Sequence, residues 1–354
     1  MIKEIGSEFS LPVDTDICTN ERFQIKSAHT ALFCFSGRTA IEIALNDASK
    51  HIKKAMLPSY CCDSMIEPFR KNGIEICFYQ VEYDEKLNCS LENTEDCDAV
   101  LWCDYFGYNV EYPNNILKDF RERNGVVIRD ITHSLFCDEI PFDCEADYFV
   151  ASLRKWGPSI SGGLCLKKRG IFSEQLFLKQ PCQDFIDLKL NAMRQKTDFL
   201  QSGNESKKDI YLRLFRESNE WLANNYSMTK IDNESLRMIG CWNIQEMKNK
   251  RRANAHFLHQ EFSKMENITL LFENEKMDCP LFVPIILKNK LFRDKLRNEL
   301  VSRKIYCPIH WPQPNEKCYS NLYDRELSIV CDQRYGIAEM RYIVNVIKEI
   351  MDEL

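Results

Sequence analysis

The sequence predicts an α/β protein with a three-layer large unit around a mainly parallel sheet, followed by a small α+β unit. In the first half of the chain, short apolar runs of strand type alternate with amphipathic helical segments. Strands separated by helices are typical of crossover connections between parallel strands. A long, polar, helical stretch then covers residues 172–224, and after it helices and strands follow in a less regular order.

The elements of the first half are read from their periodicity and from the Gly and Pro residues that bound them. We predict helices at residues 36–49, 64–73 and 114–125. Strands are predicted at residues 54–60, 74–81, 99–107, 126–130 and 147–153.

We divide the chain into a large unit, residues 1–240, and a small C-terminal unit, residues 241–354. Residues 172–224 form a helical excursion within the large unit. The small unit has roughly a hundred residues, which is a normal size for a small domain. Its predicted helices are 244–265, 293–304 and 337–354, and its predicted strands are 267–272, 281–287 and 304–311.

Composition excludes several classes of protein. The chain has 354 residues and a formal net charge of −6, which argues against an electrostatic nucleic-acid binder. Its 17 cysteines include no C-x-x-C pair, so neither a zinc module nor any other metal site is predicted. The first residues are charged where a secretory signal is apolar, and no apolar run reaches the length of a membrane helix. We therefore expect a soluble, cytoplasmic protein with reduced thiols that binds neither membranes nor nucleic acids.

Two polar residues follow predicted strands of the large unit. Asp130 ends the strand 126–130, and Lys155 follows the strand 147–153, in the segment SLRKWGPSISGG. Functional side chains of parallel sheets collect at the carboxyl ends of the strands. Lys155 is either a surface lysine or a nucleophile. Asp130 is either a turn or capping acid or a carboxylate that faces a cationic ring nitrogen.

Two further features are weak evidence for a functional site when each is considered alone. The turn SGRTA at residues 36–40 opens a helix, whose free N–H groups and positive dipole end suit a phosphate. An ordinary helix cap explains the turn equally well. His133 comes three residues after Asp130 and is either a structural histidine or a second group of the same site.

Together these segments form an ordered series that resembles the DegT/DnrJ/StrS family of pyridoxal-phosphate sugar aminotransferases, which have the type I fold. SGRTAIEIAL is similar to the family's SGTxAL turn, NGVVIRDITHSLF to its "viEDaAqa" strand, and KWGPSISGG to its "KnlttgeGG" segment. ANNYSMT, at residues 223–229, is similar to "GyNyRms". The resemblance covers nearly the whole chain.

The resemblance implies a role for each matching residue. Lys155 falls on the Schiff-base lysine, Asp130 on the acid at the pyridine nitrogen, and His133 on the adjacent Gln/His position. The family's dimeric arrangement implies a homodimer in which Asn225 reaches the partner's cofactor. The phosphate would be held by Gly37, Arg38, Thr39, Ser152 and the Asn225 of the partner chain.

The chain departs from the family pattern at four positions. The family's P-x-x-T-F segment corresponds to residues 58–62, and its aromatic residue, which stacks on the cofactor ring, falls on Cys62. Tyr60, Tyr105 or Phe106 would supply the stacking ring instead. The family's Ser five residues before the lysine falls on Val150, and Ser152 would replace it. The Thr of SGTxAL falls on Arg38, and the Arg of "GyNyRms" falls on Ser227.

The resemblance therefore implies a pyridoxal 5′-phosphate-dependent aminotransferase. It would move an amino group from an amino acid to a keto acceptor such as a nucleotide-linked sugar. A lyase or dehydratase reaction on the same cofactor stays open, and so does a cofactor-binding protein without turnover. In the small unit we expect Trp311 to pack, whereas His310 either packs or lines the substrate mouth.

Overall fold

A computed structural model describes residues 4–12, 30–48, 51–138, 144–316 and 318–353. Its strands are β1 (Ile5–Gly6), β2 (Thr30–Cys34), β3 (Lys54–Pro58), β4 (Glu75–Asp84), β5 (Lys86–Ser90), β6 (Ala99–Cys103), β7 (Val126–Asp130), β8 (Tyr148–Ser152), β9 (Gly163–Lys167), β10 (Thr269–Leu270), β11 (Val283–Ile286), β12 (Ile305–Tyr306) and β13 (Glu326–Ile329). Its helices are α1 (Gly37–Asp47), α2 (Asp63–Lys71), α3 (Asn114–Glu122), α4 (Gln183–Ser202), α5 (Glu205–Asn225), α6 (Asn233–Gly240), α7 (Ile244–Phe262), α8 (Lys290–Ser302), α9 (Leu322–Arg325) and α10 (Ile337–Glu353).

An eight-stranded sheet forms the centre of the molecule, in the order β2-β9-β8-β7-β6-β3-β4-β5. The inner strands β4, β3, β6, β7 and β8 run parallel, and β2, β9 and β5 pair antiparallel at the two sides. Every residue of β6 and β7 is buried, as expected for parallel strands covered on both faces. The predicted α/β class with a mainly parallel sheet is confirmed.

Helices of the first half cover this sheet and begin close to the predicted positions. Helix α1 packs against β8 and β9, helix α2 against α1 and β4, and helix α3 against β7. Ser36 caps α1, since its hydroxyl accepts the N–H of Thr39 at 3.2 Å. The strands β7 and β8 end at Asp130 and Ser152, which places the predicted site residues at one edge of the sheet.

Helices α4 and α5 form the predicted helical excursion as a packed pair. Gly203 ends α4 with a φ of 74°, a left-handed conformation in which glycine has no steric penalty. A separate hydrophobic cluster joins the two helices to Phe35 and includes Phe185, Phe199 and Tyr211.

Strands β10, β11 and β13 form a second, antiparallel sheet, on which helices α7 and α8 pack. Its hydrophobic cluster includes residues of α7, α8 and α10, and also Ile5 from β1. Strand β1 pairs with β12, so residues 5–6 lie against the C-terminal part of the chain. The division between residues 240 and 241 stays a prediction.

The strand predicted at 304–311 is wrong beyond its first residues. Only Ile305–Tyr306 pairs as a strand, and residues 307–311 are irregular. Pro308 has no N–H to donate to a sheet ladder, which explains the early end.

Three expectations from composition can be compared with the structure. No helix among the described residues is long and apolar enough to cross a membrane. Within the described ranges, no group of three or more His, Cys, Asp or Glu residues could hold a metal ion. Every described cysteine is free except Cys241, which is disulfide-bonded, so the expectation of reduced thiols does not hold at that position.

Candidate active site

A cavity of about 390 Å³ lies at the carboxyl ends of β7 and β8. We call it the first cavity. Most of the residues predicted for the site lie in its wall, although they are far apart in sequence. The wall includes Ser36, Gly37, Arg38, Asp130, His133, Ser152 and Lys155.

Lys155 lies in a short turn, Leu153–Lys155, directly after β8. Its side-chain nitrogen Nζ is 3.1 Å from Nε2 of His133. The other ring nitrogen of His133, Nδ1, accepts the backbone N–H of Phe106 at 3.1 Å. Burial, and then the charges of Lys155 and His310, lower the pKa of His133 well below its ordinary value. The imidazole is therefore neutral and acts as an acceptor at Nδ1.

Asp130 is the last residue of β7 and is buried. Its Oδ1 accepts the backbone N–H of Thr132 at 2.8 Å, which holds the carboxyl group at the edge of the sheet. Burial raises the pKa of Asp130, although the Thr132 hydrogen bond and the charge of Lys155 oppose the shift. A cationic partner in the first cavity would favour the ionised form of this carboxyl group.

The start of helix α1 faces the same cavity. Its first N–H groups have no partner within the helix, and the dipole of the helix makes this end positive. The helix can approach β8 and β9 closely because two positions lack a side chain. A Cβ atom on Gly37 would lie 3.2 Å from Cβ of Ser152, and one on Gly163 would lie 2.1 Å from the carbonyl oxygen of Ser36.

Arg38 brings a positive charge to this end of the cavity. Its Nε is 3.0 Å from a carboxylate oxygen of Glu67, and its guanidinium lies 5.8 Å from the centre of the Tyr226 ring. The arginine that stands in place of the threonine of the SGTxAL turn therefore already has an acidic neighbour.

Three predicted residues do not lie in the wall of the first cavity. The hydroxyl of Thr39 donates to the carbonyl of Tyr226 at 2.8 Å. Tyr60 is fully buried, and its hydroxyl donates to Glu326 at 3.2 Å. Asn225 is exposed, and its amide donates to the carbonyl of Trp221 at 2.8 Å.

Trp311 packs as expected, with its ring against Tyr60, and it also lies in the wall of the first cavity. Its ring stacks on His133 with centroids 5.5 Å apart, and Nζ of Lys155 lies 5.6 Å from the centre of a Trp311 ring. Sequence reasoning missed this role because Trp311 belongs to the C-terminal part of the chain. Cys62, which stands in place of the aromatic of the P-x-x-T-F segment, also lines the cavity, whereas Tyr105 and Phe106 do not.

A second cavity, of about 470 Å³, adjoins the first. Glu8, Arg154 and Lys155 line both. His310, which was left open between packing and the substrate mouth, lies in the wall of this second cavity, and its Nδ1 is 2.9 Å from the hydroxyl of Ser328. A larger surface cavity of about 670 Å³ is lined by residues such as Trp102 and Phe272 and by none of the predicted site residues.

No protein-family model matches the sequence, and no curated protein matches it. Solved structures do match the fold. PseC of Helicobacter pylori, an aminotransferase involved in the biosynthesis of pseudoaminic acid, matches with a TM-score of 0.66 at 14% identity, over 99% of this chain and 100% of that chain. A DegT DnrJ EryC1 StrS aminotransferase from Brucella abortus matches with a TM-score of 0.58 at 15% identity, over 90% of this chain and 85% of that chain.

A third structure, NtdA from Bacillus subtilis with the bound cofactor PMP, has a TM-score of 0.61 and 12% identity. The match covers 90% of this chain and 73% of that chain. The chain has the fold of these aminotransferases. The predicted type I fold is thus confirmed, because the similarity extends over most of the chain, across both sheets.

Proposed function

We propose that this chain is a pyridoxal-phosphate-dependent aminotransferase whose cofactor binds in the first cavity. The observation that carries the proposal is the meeting of Asp130, His133 and Lys155 with the start of helix α1 around one cavity. The aminotransferase fold of the structural neighbours supports it as well.

The residues of the first cavity fit this cofactor in three respects. The close approach of Gly37 to Ser152 leaves the positive end of α1 open to a phosphate. Asp130 supplies a buried carboxyl group at a strand end, where a cationic ring nitrogen would find its partner. Lys155 supplies an amine in the same wall. Gly37, Arg38 and Ser152 would hold the phosphate, and Lys155 would hold the cofactor covalently.

Pyridoxal phosphate, when bound, supplies an electron sink that stabilises negative charge at the substrate's α-carbon. Asp130 would keep the proton on the ring nitrogen of the bound cofactor. Nζ of Lys155, released when the donor's amino group takes its place, would take the α-proton of the donor and return it, acting as general base and then general acid. His133 positions that amine through Nε2, and Trp311 limits the access of water from the side of the C-terminal part.

The amino donor in this proposal is an amino acid, and the acceptor carries a keto group, as on a nucleotide-linked sugar. We propose a cytoplasmic homodimer in which Asn225 reaches the partner's cofactor site. The exposed position of Asn225 at the end of α5, outside the first cavity of its own chain, supports this arrangement. Thr39 and Tyr60 are left out of the proposed contacts because their hydroxyls are bonded elsewhere.

Covalent trapping tests the proposal directly. The purified protein is mixed with pyridoxal phosphate and reduced with borohydride, and its peptides are mapped by mass spectrometry. We expect the reduced cofactor on Lys155, none in Lys155→Ala, and undiminished labelling in the control Lys179→Ala, which changes an exposed lysine. Labelling that spreads over surface lysines and survives in Lys155→Ala would refute the proposal.

Amino donors then distinguish transfer from other reactions of the cofactor. An aminotransferase converts the cofactor to its amine form during a half-reaction with the donor alone. A lyase or a dehydratase instead releases a fragment or water from the substrate while the cofactor keeps its aldehyde form. Absorbance spectra and product analysis after mixing with single amino acids therefore decide between them.

A further inference from the structure

The second cavity begins where the first one ends, beside the amine of Lys155. Glu8, Arg154 and Lys155 belong to the walls of both. With about 470 Å³ it has room for a small-molecule ligand. A molecule that reacts at Lys155 can therefore extend into the second cavity.

Cationic side chains outnumber acidic ones in this wall. The acids are Glu8 and Asp332, and the cations are Arg154, Lys155, Arg251, Arg297 and Arg334. Such an excess of one sign, with low-dielectric walls, concentrates positive potential inside a cavity.

Both acids are already engaged by other groups. Asp332 forms a two-point ion pair with Arg334, with its Oδ2 2.7 Å from Nη2 and its Oδ1 2.9 Å from Nε. Glu8 accepts the amide of Asn219 at 3.0 Å and lies 3.4 Å from Nζ of Lys189. The two carboxylates are thus shared among several cations, since the charge of Glu8 also acts on Arg154 and that of Asp332 also acts on Arg251.

Two half-buried arginines of this wall each have one donor without a hydrogen-bond partner. The Nε atoms of Arg154 and Arg297 are buried and have no hydrogen-bond partner, and neither arginine forms an ion pair within the described part of the chain. Arg251, by contrast, donates to the carbonyls of Pro280 and Leu281 and to Gln333. A buried donor without a partner is costly, and an incoming anion would remove that cost.

We infer that the second cavity binds an anionic group of the substrate, a carboxylate or a phosphate, through Arg154 and Arg297. The inference rests on the proposed function, because it places the substrate's reacting carbon at Lys155. The planar fork of an arginine matches both anions with two parallel hydrogen bonds. The carboxylate would come from an acidic amino donor and the phosphate from a nucleotide-linked acceptor.

The test measures anion binding to the full chain by calorimetry, without added cofactor. The probes are inorganic phosphate, succinate and uridine diphosphate. In Arg297→Gln we expect binding to weaken by about tenfold or more, as for the loss of one hydrogen bond to a charged group. The matched control is Arg303→Gln, which removes one positive charge just after the same helix, where Arg303 pairs with Glu349. It should bind as the unchanged protein does.

Arg297→Lys tests whether weaker binding in Arg297→Gln is caused by misfolding. It keeps the positive charge and should recover part of the affinity that Arg297→Gln loses. Succinate binding that depends on Arg297 assigns the site to a carboxylate. Binding of uridine diphosphate or phosphate, but not succinate, assigns it to a phosphate. The inference is overturned if no probe binds the unchanged protein, or if Arg297→Gln and Arg303→Gln weaken binding equally.

The aminotransferase proposal and the anion-site proposal can be refuted independently of each other. Trapping of the cofactor on Lys155 without anion binding would remove only the second-cavity site. Anion binding that depends on Arg297, in a protein whose Lys155 is never trapped, would keep the site and remove the aminotransferase proposal.

Discussion

Nζ of Lys155 lies 3.1 Å from Nε2 of His133, while Nδ1 of the same ring accepts the N–H of Phe106. A backbone donor at Nδ1 requires that nitrogen to be unprotonated. Burial lowers the pKa of His133 well below its ordinary value, so the ring is neutral and Nδ1 is free to accept. Phe106 thus fixes the orientation of the His133 ring and places Nε2 beside the amine of Lys155.

From this contact we predict that His133→Ala slows attachment of pyridoxal phosphate to Lys155 by about tenfold or more, because the amine loses the group that positions it. The measurement is the growth of the cofactor's visible absorbance band after mixing. His256→Ala, a change at an exposed histidine of α7, should leave the rate unchanged. Equal rates in His133→Ala and the unchanged protein would contradict the positioning role.

The carboxyl group of Asp130 is expected to keep the cofactor's ring nitrogen protonated, since a buried carboxylate stabilises an adjacent cation. In Asp130→Asn we predict a bound cofactor whose ring nitrogen has lost its proton. Nitrogen NMR of isotopically labelled pyridoxal phosphate on the protein reports this directly. Asp119→Asn, at an exposed position of α3, is the control. A protonated nitrogen in Asp130→Asn would show that another group holds the proton.

Gly37→Ala should weaken cofactor binding by about tenfold, because the added Cβ would lie 3.2 Å from Cβ of Ser152, where we expect the phosphate. Folding should suffer little, since alanine suits a helix better than glycine does. Titration followed by tryptophan fluorescence measures the affinity. Gly240→Ala is the matched control, because no atom lies within 4 Å of its added Cβ. Unchanged affinity in Gly37→Ala would move the phosphate away from α1.

Glu326 predicts a dependence of stability on pH. Its carboxyl group accepts hydrogen bonds from Tyr60 and from the backbone of His310, and burial raises its pKa from 4.5 to about 8. The folded state therefore binds this proton more tightly than the unfolded state does. The resulting stability is present below pH 4.5 and is lost as the pH rises to about 8.

Glu326→Gln should remove this pH-dependent loss of stability, because the amide does not titrate. We expect the free energy of unfolding of the unchanged protein to fall by a few kcal/mol across that range relative to the variant. Urea unfolding at several pH values measures both proteins. Glu122→Gln, an exposed change on α3, should keep the slope of the unchanged protein. The same slope in Glu326→Gln would show that other groups cause the dependence.

Much of the fold was predictable because local pattern and tertiary role agree. The run VVIRD opens with three apolar, β-branched residues after Gly125, and it forms β7 over those five residues. Helix α1 was recognised from its capping serine and apolar face, and it begins one residue after the predicted start. The strand predicted at 304–311 is wrong because Pro308 interrupts it, and the apolar residues after Tyr306 pack as irregular chain.

In the candidate site, the sequence by itself predicted that Asp130 and Lys155 lie close together, because each comes two residues after an apolar run and parallel strands end at a common edge. Only the tertiary structure decided the rest. It turned Tyr60 toward Glu326, bonded Thr39 to Tyr226, and brought Trp311 to the first cavity and Arg297 to the second. Those contacts join parts of the chain that are distant in sequence, and the direction of a side chain across such a distance depends on packing that no local pattern records.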